Sequence, residues 1–95
     1  MNEFDKAAEI IKDRGWIKGF FRGEGGVCIL GALNMVCPPG DKWNELYNIL
    51  RNVVIENYEF GSVMYVNDQI MQHVSEPLAM LEKASVRLNE MEKFQ

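Results

Sequence analysis

The sequence holds one histidine, two cysteines and three prolines, and no lysine or arginine between Arg51 and Lys83. Each scarcity removes a class of function. Two cysteines and a single histidine cannot furnish four convergent ligands at structural-zinc spacing, so no metal and no cofactor is expected. Cys28 and Cys37 lie in one apolar run; in a helix rising ~1.5 Å per residue their separation is about 13 Å, beyond the ~7 Å that a disulfide spans. No uninterrupted apolar stretch approaches the ~18 residues of a membrane span, and no charged segment followed by an apolar one opens the chain. A reducing, cytoplasmic setting without membrane contact is therefore expected. Fourteen acidic against ten basic residues, a net charge of −4, argue against direct nucleic-acid binding through phosphate contacts.

The base-free interval carries Glu56, Glu59, Asp68, Glu76 and Glu82. Gathered on one side, they would form a negative face for a basic partner; scattered over loops and helix starts, they would only keep the domain hydrated. With 95 residues, 47% of them hydrophobic, the chain fits a single globular domain over residues 1–95.

The segment Val27-Cys28-Ile29-Leu30-Gly31-Ala32-Leu33-Asn34-Met35-Val36-Cys37 is apolar except at Asn34. A helix without a polar face persists in water only when wrapped by other elements, so this run is expected to be the axis of the domain. Three amphipathic helices surround it. The first starts at the cap Asn2, carries the stripe Phe4, Ala7, Ala8 and Ile11, and closes at Gly15 with Trp16 beside its end. After Pro38-Pro39-Gly40, Asp41 is expected to cap a helix with the stripe Trp43, Leu46, Tyr47, Leu50, Val53 and Val54, ending near Asn57. Ser75 is expected to cap the last, with the stripe Leu78, Leu81, Ala84, Leu88 and Met91. Residues 58–73 read as irregular, with Val63-Met64-Tyr65-Val66 a short strand or buried extended segment. The glycine-rich segment 17–26 reads as a loop, with an anion-binding role for Lys18 and Arg22 before a helix start as the lesser alternative. The predicted fold is all-α, a small four-helix domain with a glycine-rich loop and a minor short β pair.

Gly15-Trp16, Cys28-Ile29-Leu30-Gly31-Ala32-Leu33 and Asn67-Asp68, followed by an amphipathic helix, resemble an uncharacterised family of small phage and actinobacterial proteins with the pattern G-W, C-L-L-G-A-L, W-N-D. Val66 stands where that family favours tryptophan. The resemblance implies a mainly helical fold and a phage or mobile-element origin, and it implies no reaction.

Cys28 at a helix start, His73 and Asp68 make a cysteine nucleophile, base and orienting group on paper. Against them stands the apolar surrounding of Cys28, which suits a structural thiol and raises its pKa. A carboxylate pair for acid-base work would have to come from Glu56, Glu59 and Asp68, in or near the irregular stretch, and nothing in their spacing forces them together. Gly31 in mid-helix costs ~1 kcal/mol against alanine and marks the close approach of a neighbour, for which Trp16 or the third helix is the natural visitor. Asn67 and Asp68 fit capping or hydrogen bonding to the glycine-rich loop. The aromatics fall into two clusters, Trp16, Phe20 and Phe21 beside Lys18 and Arg22, and Tyr58, Phe60 and Tyr65 beside Glu56 and Glu59. Exposed, they compose a recognition surface. The expected function is that of a small phage-type accessory protein in the host cytoplasm. It would bind a host or phage protein through Trp16, Phe20, Phe21, Arg22, Glu56, Tyr58, Glu59, Asn67 and Asp68, as an inhibitor of a bacterial defence system of the anti-CRISPR kind. The alternative is a cysteine-dependent enzyme or small-molecule binder using Cys28, His73 and Asp68; homo-oligomerisation is left open.

Overall fold

The computed structural model describes residues 1–93. Helix α1 (Glu3–Arg14) opens on a reciprocal cap, in which the Asn2 side chain accepts from the Asp5 backbone and the Asp5 carboxylate accepts from the Asn2 backbone. This satisfies two of the amide groups that a helix start leaves free. Phe4, Ala7 and Ile11 turn inward. Gly15 ends the helix at φ 96°, and Trp16 bridges to Val27 in a parallel pair. A two-residue hairpin follows, β1 (Arg22–Gly23) against β2 (Gly26–Val27). Only glycine serves at position 26, where φ is 136° and a Cβ would overlap the Gly15 carbonyl; that carbonyl accepts the Val27 N–H at 3.0 Å.

Helix α2 (Ile29–Val36) begins after β2, so Val27 belongs to the hairpin and Cys28 to the cap. Ile29, Leu30, Gly31, Ala32 and Leu33 are buried, whereas Asn34, Met35 and Val36 are half-buried. The axis expected from sequence is therefore enclosed in its first turns and reaches the surface in its last. Helix α3 (Asp41–Tyr58) starts from Gly40 with no side-chain cap, and Asp41 is its first residue instead of its cap. Its carboxylate still faces the positive helix end. The buried face is Leu46, Ile49, Leu50, Val53 and Val54.

Within the stretch expected to be irregular, residues 63–70 are helical, including 63–66, expected as a strand or extended segment. Ser62 caps the single turn α4 (Val63–Tyr65), which runs into a π-helical turn over Val66–Ile70, closed by Met71 N–H to Val66 C=O at 2.9 Å. The widened turn carries both Val66 and Asn67 inside, each fully buried. Helix α5 (Ser75–Lys93) then spans the domain. Ser75 is its first residue instead of its cap, and the carboxylate of Glu76 in the first turn ties down the preceding segment by accepting from the backbone N–H groups of Gln72 and His73. Met80, Leu81, Ala84, Ser85 and Leu88 line its buried face, while Met91 is exposed, past the end of the core. Helix α5 packs on α1 and α3, and α1 on α2. One hydrophobic core joins them.

Candidate functional site

The polar centre of the molecule is Asn67, which is fully buried. An amide side chain offers two acceptor lone pairs and two N–H donors, and here all four are used. Its Oδ1 accepts from Trp16 Nε1 at 2.8 Å and from the Ile29 backbone at 3.2 Å. Its Nδ2 donates to the Ile17 carbonyl at 3.3 Å and to Asp68 Oδ1 at 2.9 Å. Asp68 Oδ1 in turn accepts the Gly19 N–H at 2.8 Å. One Asn-Asp pair on the π-helical turn thus holds the glycine-rich segment at Trp16, Ile17 and Gly19, together with the first residue of α2.

A second set of contacts closes the segment from the other side. The Phe21 carbonyl accepts the Cys28 N–H at 3.0 Å, and a Cβ on Gly31 would overlap that same carbonyl. The visitor that Gly31 admits is accordingly the backbone of Phe21, not Trp16 or α3. The hairpin folds its preceding residue down onto the first turn of α2. Phe20 is left between two anchored points, Gly19 and Phe21. Its side chain is 71% exposed and that of Phe21 is 48% exposed.

Among the described residues, no hydrogen bond links the side chains of Cys28, His73 and Asp68, each of which has other surroundings. Cys28 is buried, and its Sγ accepts the Gly31 N–H at 3.3 Å as the cap of α2. Burial pushes the thiol pKa up, which opposes thiolate formation. His73 is exposed, and its backbone N–H is given to Glu76. Asp68 is occupied by Gly19 and Asn67. The anion-binding alternative loses its helix end as well, because the α2 start is satisfied by Asn67 at Ile29 and Cys28 at Gly31. Among the described residues no group of three or more His, Cys, Asp or Glu side chains is placed to hold a metal.

Of the other sequence candidates, Trp16 is half-buried, with its ring N–H directed inward and Lys18 Nζ 5.5 Å from its ring centroid. Tyr58 donates to Glu76 Oε1 at 3.0 Å; burial and then that carboxylate push its pKa up to about 12. Asn67 is buried, whereas Trp16 and Tyr58 are half-buried and each is hydrogen-bonded within the domain. Glu56 forms a two-pronged pair with Arg87 at 2.7 and 2.9 Å, and Glu59 closes α3 at φ 62°. The base-free interval is not a uniform negative face: Glu56, Asp68 and Glu76 each serve a partner within the domain. Among the described residues the exposed aromatics are Phe20, Phe21, Phe60 and Tyr65, the last two in ring contact at 5.3 Å. Sequence reading missed Glu76 as the acceptor that ties Gln72, His73 and Tyr58 to the start of α5. It also missed the link from Asn2 Nδ2 to Ser85 and Asn89, with Ser85 Oγ donating to Asp5 at 2.7 Å. An Asn followed three positions later by Asp signalled only the local half of that network.

Fold and centre together define a small helical domain in which a buried Asn-Asp pair fastens a glycine-rich aromatic loop. The chain matches the family of unknown function DUF6197 over residues 2–87 and belongs to it. No curated protein and no solved structure matches it. Among the described residues, no helix is long and apolar enough to cross a membrane.

Proposed function

We propose that this domain acts by binding another protein, with the loop that carries Phe20 and Phe21 as its recognition element. The observation that carries the reading is the anchoring of that loop on both sides of an outward-facing phenylalanine. Gly19 is held by Asp68 and Phe21 by Cys28. Exposed aromatic surface on a monomer is a liability unless used, and a preordered aromatic anchor loses little conformational entropy on association. The thiol that an enzyme would need is used as a helix cap instead. The resemblance in Gly15-Trp16, Cys28 to Leu33 and Asn67-Asp68 supports a phage or mobile-element origin, and the biological form of this proposal is an accessory protein that acts in the host cytoplasm on a bacterial defence system.

The test is affinity capture from host lysate with the wild type and a Phe20→Ala/Phe21→Ala variant, alongside their unfolding midpoints. The expected result is a protein retained by the wild type and lost, by about 30-fold or more in affinity, from a variant that unfolds no earlier. Identical retention by both, or no partner at all, contradicts the proposal. Iodoacetamide labelling at neutral pH addresses the thiol enzyme separately: Cys28 is expected to resist until the protein is denatured, and rapid labelling of the folded domain would restore that alternative.

A further inference from the structure

From Arg14 to Gly23 the chain has Arg14, Lys18 and Arg22 and no acidic residue. Among the described residues none of the three forms an ion pair; the two pairs present join Lys12 to Glu9 and Arg87 to Glu56. Three carboxylates of the base-free interval, Glu56, Asp68 and Glu76, are engaged within the domain, whereas the bases around the aromatic loop are free of ion pairs among the described residues. Glu24 in the hairpin turn and Asp13 before Arg14 are the acids flanking this segment, and neither reaches a cation within ion-pair distance. Beside Phe21 lies an open hollow of about 180 Å³, lined by Phe21, Arg22, Gly31, Asn34 and Met35. Its size suits one side chain. The Arg22 guanidinium and the Asn34 amide at its wall make no hydrogen bond among the described residues, so they offer N–H donors to a carboxylate.

We propose that the loop engages an acidic segment of its partner, with an apolar side chain against Phe20 and a carboxylate seated between Arg22 and Asn34. This rests on the loop being the recognition element, and it adds the chemistry of what is recognised. Lys18, stacked near Trp16, supplies the second positive charge, and complementarity of this kind fixes register and excludes basic competitors.

The experiment is selection of random-sequence peptides displayed on yeast, run in parallel against the wild type, Phe20→Ala, and the charge reversal Lys18→Glu/Arg22→Glu. Circular dichroism is used to check that each is folded. The proposal predicts that peptides dependent on Phe20 are enriched in Asp and Glu together with large apolar residues. It also predicts that they lose about tenfold or more in affinity for the charge-reversed domain and weaken as salt is raised. Enrichment of neutral or basic peptides that still need Phe20 overturns the acidic partner while leaving the recognition loop standing. Failure to enrich any Phe20-dependent peptide overturns both. Binding of vesicles containing phosphatidylglycerol, lost on Phe20→Ala and absent with phosphatidylcholine alone, would assign the surface to an anionic lipid instead of a protein.

Discussion

Asn67 uses every hydrogen-bonding position of its amide while fully buried, so any substitution leaves buried polar partners unsatisfied. Asn67→Asp preserves shape and the oxygen facing Trp16 and Ile29, but turns the second oxygen toward the Ile17 carbonyl and the Asp68 carboxylate. The expected cost at neutral pH is about 3 kcal/mol or more, because a charge is buried against a charge. Burial and Asp68 both raise the pKa of the introduced acid in the folded state, so folding favours its protonated form. The difference from the wild type should therefore shrink as pH falls from 7 toward 4, measured by urea unfolding at each pH; a difference independent of pH would contradict this geometry. Gly31→Ala gains helix propensity worth ~1 kcal/mol yet drives a methyl into the Phe21 carbonyl. The net effect should be a loss of about 2 kcal/mol or more in the same assay, and net stabilisation would mean that the loop does not lie on α2.

Among the elements, α5 depends on one carboxylate. Glu76 accepts from the backbones of Gln72 and His73, which hold its pKa below the ordinary value, and from Tyr58. Asp5, beside Ser85, and Glu56, beside Arg87, are lowered in the same sense. A carboxylate lowered by folding is bound to fewer protons in the native than in the unfolded state, so its contribution is complete above the unfolded pKa and lost as pH falls through the folded one. Stability should be flat through neutrality and decline below the ordinary carboxylate values of 3.8 for Asp5 and 4.5 for Glu56 and Glu76. Tyr58 and Cys28 are shifted upward, so their contributions are complete below the unfolded values of 10.0 and 9.0 and are lost as pH rises beyond them. Glu76→Gln should cost about 1 kcal/mol at pH 7 and flatten the acid limb in a thermal-unfolding series; an unchanged acid limb would remove Glu76 from the account. The long helices were legible because caps and apolar stripes are local signals, as at Asn2 and in the Leu46 to Val54 face. The π-helical turn was not. The segment 63–70 is too short for a helical stripe to repeat, and its buried polar residue, Asn67, reads from sequence as a turn residue. Asn67 and Asp68 were legible as ties to the glycine-rich loop, but their partners Trp16, Gly19 and Ile29 are set by tertiary contact alone.

For the molecule as a whole, α2 packs on α1 and α4, α5 joins α1 to α3, and the hairpin and π-helical turn meet at the amino end of α2. Its radius of gyration, 12.3 Å, agrees with the about 12 Å of a compact chain this long. The residues of the sequence resemblance, Trp16, Cys28, Gly31, Asn67 and Asp68, converge at that one place. Their common physical consequence is the fastening of residues 15–28, and the surface product of the fastening is Phe20. Amide hydrogen exchange of Gly19 and Ile29, followed by NMR in the wild type and in Asp68→Ala, tests this most directly. Gly19 should be protected in the wild type and exchange at an open-loop rate in Asp68→Ala, with Ile29 and the core amides of α5 little changed. A Gly19 amide that already exchanges freely in the wild type would contradict a loop held in place by Asn67 and Asp68.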